Sequence, residues 1–246
     1  MSYTYDEDLE FLGECTDEQL KDLAEILIYD TDKKFRKMEQ ITSTNEYKRY
    51  KTQYSKYWEV IAGDLQKFGG DTFANLFRLG DGIKYDEILN DVLKHLNISF
   101  DKSSSIINRE DILIERVFED IIKDMDENDV AKLIKDLNIS VSNYKTPAIM
   151  LAIQTAIKAG GFASYKITVI VANYIAKLIL KRGLTLTANA MLTKGLSLLI
   201  GPIGMAVTGI WTITDIVSGP AMRVTVPACV IIAYLRKTIM LEKENK

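Results

Sequence analysis

Two cysteines, four prolines and one histidine are all that this 246-residue chain holds of those types. Cys15 and Cys229 lie far apart and no CxxC pair exists, which excludes a disulfide framework and points to a reducing compartment. With His95 as the lone histidine, zinc sites built on histidine pairs are excluded, and Ser-His-Asp or Cys-His machinery is disfavoured. Its place in the helical pattern makes His95 a partly buried residue on a helix face. No GxSxG elbow, no GxGxxG run and no glycine-rich turn into a Lys-Ser/Thr pair is present. A basic, then apolar leader is also missing, because Met1 to Glu10 is acidic and tyrosine-rich. The expectation is a protein without catalytic residues, cofactor or metal that reaches any membrane from the cytoplasmic side.

Acidic residues are abundant, but their arrangement is that of solvated helix faces. Asp124, Asp126, Asn128 and Asp129 resemble the start of a calcium loop, yet the sixth position is Asp129 where glycine is needed and the twelfth is Lys135 where glutamate is needed. An acidic helix N-terminus, favoured by the helix dipole, explains the run better.

The formal net charge of −3 hides a split. Residues 1–140 hold 31 acidic and 19 basic side chains, and residues 141–246 hold 3 and 12, so the regions carry −12 and +9. Between Asp136 and Glu242 the only acid is Asp215. Either the two regions attract each other, or the basic one meets an anionic partner such as a membrane.

Helical periodicity runs through both regions. Thr16 and Gln19 form a capping box ahead of Leu20, Leu23, Ala24, Leu27 and Ile28 on one face. A linker-like stretch follows from Asp30 to Thr44. Tyr47, Tyr50, Tyr54, Tyr57, Ile61, Leu65 and Phe68 then recur at steps of three and four, which predicts one long helix ended by Gly69-Gly70. This stripe reads as a core face in preference to a base-stacking platform. Asp71 is expected to cap a short helix to Leu79, and further helices follow over 83–96 and from Ile112 to Ile122. Another opens at Asp126 and Asp129, and Thr146-Pro147 supplies an N-cap and a first-turn proline beyond a linker at 138–145.

The C-terminal region carries the candidate contact residues. Lys166, Lys177 and Lys181 fall within about 60° on a helix and predict a cationic face. Residues 195–214 contain no charge and are broken by Gly201-Pro202-Ile203-Gly204, which predicts a helical hairpin. Gly195, Gly201, Gly204 and Gly209 permit close helix approach, and Asp215 needs a partner such as Arg223 or Lys194 if it is buried. Arg236 and Lys237 end an apolar run, where they are expected to reach lipid headgroups.

Three blocks carry a resemblance. They are Asp8 to Leu20, Tyr57 to Asn75, and Gly201 to Gly204 with Ser218 to Ala228, ending at Leu235-Arg236. On these the chain resembles the YaaW-like family of bacterial proteins, which is grouped with the ubiquinol–cytochrome c chaperone domain. The resemblance implies no catalytic residue or cofactor at any position here. The expected fold is an all-α multi-helix bundle, with an acidic helical region at 1–140 and a basic, apolar helical region at 146–246 containing the Gly/Pro-broken hairpin. The expected function is non-enzymatic binding, chaperone-like, with the apolar C-terminal helices on an anionic membrane or a membrane-protein client. Conditional membrane insertion or pore formation is the alternative. Nucleic acid is not an expected partner.

Overall fold

The computed structural model describes residues 3–72, 83–123, 125–185 and 222–245. Among the described residues there are nine α-helices and three short 3-10 helices, and no strand; Tyr29 and Phe35 form a lone bridge. The fold is all-α, as the periodicity predicts. At the start of α1 (Asp17–Ile28) the Thr16 hydroxyl accepts from the Gln19 N–H, and the Gln19 side chain accepts from the Thr16 N–H at 2.7 Å. This reciprocal box satisfies two donors that helix geometry leaves open. The predicted inward face, Leu20 through Ile28, is buried.

The tyrosine stripe is not one helix. It divides into α2 (Asn45–Tyr50), a 3-10 turn over Tyr54–Tyr57, and α3 (Trp58–Thr72), with Lys51 at φ 52 between them. The Tyr57 hydroxyl donates to the Lys51 carbonyl, and the rings of Tyr54 and Tyr57 pack 5.9 Å apart in the core. Burying two aromatic rings outweighs the modest helix propensity of Lys51-Thr52-Gln53. Tyr54, Tyr57, Ile61, Leu65 and Phe68 are all buried, so the stripe is core.

Nor does Gly69-Gly70 end α3, which runs on to Thr72. A Cβ on Gly69 would sit 2.5 Å from Cγ1 of Ile88, so this glycine is a notch against α4 (Tyr85–His95). Gly69→Ala is expected to cost about 1–3 kcal/mol through overpacking, measured as a lowered urea midpoint. The short helix expected through Leu79 falls on residues 73–82, outside the described residues.

The rest follows the caps. α5 spans Ile106–Lys123, and α6 (Glu127–Leu137) is capped by Asp126, whose carboxylate accepts from the Asp129 N–H at 2.9 Å. α7 is Thr146–Ala159, with Lys145 and not Thr146 at the N-cap; Pro147 still occupies its first turn. Gly160 and Gly161, at φ 72 and 60, turn the chain into α8 (Gly161–Leu180), a conformation that glycine adopts without Cβ strain. The last helix, α9 (Met222–Glu244), packs along α8, with Tyr165 near the start of α8 stacked on Tyr234 in the middle of α9. α9 also contacts α1, α3, α4 and α5, so one core draws on both charge regions. α8 and α9 are long and apolar enough to cross a bilayer, yet most of each is buried inside the bundle.

Candidate functional site

Four described basic side chains of the C-terminal region, Arg182, Arg236, Lys237 and Lys243, pair with acids of the N-terminal region. Arg236 donates through Nε to both oxygens of Glu110, at 2.9 and 3.2 Å, and through Nη2 to the Asp8 carbonyl at 2.7 Å. Its guanidinium lies 4.4 Å from the Phe11 ring centroid, and the Tyr85 hydroxyl donates to Glu110 at 2.9 Å. Burial pushes the Glu110 carboxyl up, while Arg236 and Tyr85 oppose that push. Lys237 pairs with Asp111 at 2.5 Å and donates to the Ser164 hydroxyl. Arg182 pairs with Asp22 at 2.7 Å and Glu25 at 2.6 Å, and Thr185 donates twice to Asp22. Of the two sequence readings of the charge split, mutual attraction accounts for these groups.

This corrects the expected contact residues. Arg236 and Lys237 point inward to Glu110 and Asp111, not outward to headgroups, because an apolar run long enough for a bilayer is here the central core helix. Lys166 is buried and donates to the Leu137 carbonyl at 3.0 Å, capping the end of α6. Burial lowers the pKa of Lys166 and of half-buried Lys177, and Lys181 is exposed at the left-handed end of α8. The three do not form a cationic face, since α8 is covered by α5, α7 and α9 together. Arg223 is exposed at the start of α9. Gly195, Gly201, Pro202, Gly204, Gly209 and Asp215 lie outside the described residues.

Reactive groups are muted. Burial pushes the Cys15 thiol up to about 12, and Cys229 further. Ser164 lines an open cavity of about 210 Å³ with Lys237, Asp111, Ile157 and Met240. Lys237 is already tied to Asp111 and donates to Ser164, so it is not placed to act as a base for that hydroxyl. Among the described residues no group of three metal-ligating side chains gathers, and His95 is half-buried.

What faces outward is α7. Ile149, Ile153 and Ile157, four residues apart, are buried against α5 and α8. Leu151, at 67% exposure, points the opposite way, with Ala159 exposed and Ala148 half-buried on the same side. Exposed Tyr144 and Lys145 stand at the start of the helix, and exposed Lys158 and Phe162 at its end. Neither α7 nor α8 contains an acid. Lys158 interacts with Glu115 of α5, whose carboxyl is pushed up by burial against the pull of Lys158.

The chain matches known proteins over its whole length. It is 42% identical over 247 residues to a UPF0174 protein of Helicobacter pylori J99, covering 100% of this chain and 97% of that one. It is 32% identical over 244 residues to the UPF0174 protein YaaW of Escherichia coli K12, covering 97% of each. A second Helicobacter pylori J99 UPF0174 protein is 36% identical over 209 residues, 83% of this chain and 99% of that one. The chain therefore belongs to the UPF0174 family, the YaaW-like group that its sequence blocks resemble. The model of a domain of unknown function (DUF3944) matches residues 3–37. No solved structure matches the chain.

Proposed function

We propose that the protein is a non-enzymatic binding protein that works at the surface of an anionic membrane, with the outer face of α7 as its contact. The observation that carries this reading is an exposed helix face that presents Leu151 beside Thr155, Ala159 and Lys158, with Tyr144 and Phe162 at its ends, in a stretch free of acids. An apolar face between amphipathic ends is the arrangement that settles at a bilayer interface, where long lysines reach headgroups and rings sit at the boundary. Lys145 and Lys158 supply the positive charge. That α8 and α9 are mostly buried within the bundle supports a peripheral contact through α7.

Vesicle sedimentation tests this. A Leu151→Glu, Phe162→Glu variant is expected to lose at least roughly tenfold in binding to anionic vesicles, since one buried leucine side chain already contributes about 1.5–3 kcal/mol. Both positions are exposed, so the helical circular dichroism is expected to stay unchanged. Wild-type binding by this variant would rule out the α7 face.

A further inference from the structure

Another surface has the same chemistry and lies in the acidic region. After α1 the Asp30 carboxylate accepts from the N–H groups of Asp32 and Lys34, both at 2.9 Å, and Lys33 takes φ 62. This closes a tight turn that presents Lys33, Lys34, Phe35, Lys37 and Met38 to solvent. Phe35 is 61% exposed and Met38 45%, and the Phe35 ring leans on Tyr29 at 5.3 Å. Arg36 alone turns inward, its Nε donating to the Ile26 carbonyl at 2.9 Å, which pins the loop to α1 and holds its neighbours outward. None of the three lysines pairs with an acid among the described residues. Of the bordering acids, Asp30 is engaged by the turn and Glu39 accepts from Thr42, leaving Asp32 as the exposed one. Burial lowers the pKa of Arg36; Asp30 opposes this, and the positive charge of Arg223 adds to it.

We propose that the loop of residues 33–38 docks on the anionic surface of a lipid bilayer, with Phe35 and Met38 entering the acyl boundary and Lys33, Lys34 and Lys37 on the headgroups. A bilayer fits better than nucleic acid. One side of Phe35 is occupied by Tyr29, and Met38 offers no stacking surface. The inference rests on the membrane reading above, but it uses residues that reading does not.

The test uses the full chain and vesicles of phosphatidylcholine with or without phosphatidylglycerol. Each lysine at an anionic surface contributes about fivefold, so Lys33→Gln, Lys34→Gln, Lys37→Gln together are expected to weaken binding to the anionic vesicles about 100-fold. Phe35→Ser with Met38→Ser is expected to weaken it at least roughly tenfold, and all five positions are exposed, so both variants keep their helical content. Wild-type binding by the triple-glutamine variant, alongside a defective Leu151→Glu, Phe162→Glu variant, overturns the loop and leaves the α7 reading standing. Wild-type protein that binds neither vesicle overturns both. Tighter binding of a single-stranded oligonucleotide than of vesicles, lost in the triple variant, assigns the loop to nucleic acid and overturns the proposal.

Discussion

Arg236→Met is expected to destabilise the protein by about 3–5 kcal/mol, the cost of leaving a buried charge without its partner. Glu110 is 0% exposed, and Arg236 is the cation that holds it. Methionine keeps the apolar stem that packs in α9 but removes the guanidinium donors to Glu110 and to the Asp8 carbonyl. The carboxyl is then left with Tyr85 alone. Urea denaturation followed by circular dichroism reads the loss. Adding Glu110→Gln is expected to recover most of it, because a neutral amide removes the uncompensated charge. Equal stability of the Arg236→Met variant and wild type would show that this pair does not join the two regions.

Asp64→Asn acts in the opposite direction and only above acidic pH. Asp64 is 0% exposed, Oδ1 accepts from the Gln40 N–H at 3.1 Å, and Oδ2 has no hydrogen-bond partner. Burial raises its pKa to about 7; the Gln40 N–H and Lys67 work against this, and Glu39 adds to it. The folded chain therefore keeps a proton that the unfolded chain releases near the ordinary value of 3.8. Between those two values the native state binds more protons, so stability falls as pH rises, by about 1.4 kcal/mol per unit and about 4 kcal/mol in all. Asparagine cannot ionise. Its advantage over aspartate is expected to grow from pH 4 to pH 7 and then to level off. Melting temperatures of both proteins across that range check it, and a difference independent of pH would contradict it.

Local signals in the sequence carried far into the structure. The Thr16 box and the Asp126 cap are short-range chemistry, and the helices they open bury the expected faces. The break at Lys51 was illegible because a hydroxyl–carbonyl bond from Tyr57 and the packing of two rings decide it, and neither is visible in periodicity. Angular position on a helix placed Lys166 and Lys177 on one side correctly. It said nothing of how many neighbours surround α8, so a covered side passed for a cationic face.

Two further features had a signal in the sequence, one in periodicity and one in composition. Glu110 continues the stripe of Leu113, Ile114, Val117 and Ile121, which places an acid in a core face and demands a cation. Lys33-Lys34-Phe35-Arg36-Lys37-Met38 is basic and apolar within a stretch that otherwise reads as linker. That Arg36 turns in while its neighbours turn out follows from a contact with the Ile26 carbonyl across ten residues, which only the fold reveals.

The membrane reading is tested most directly by flotation of the purified full-length protein with anionic vesicles at low and high salt, with dye leakage recorded in the same samples. The account predicts binding at low salt, at least roughly tenfold weaker binding at high salt as headgroup attraction is screened, and no leakage. No binding to anionic vesicles at low salt would contradict it, and so would binding that resists salt and releases dye.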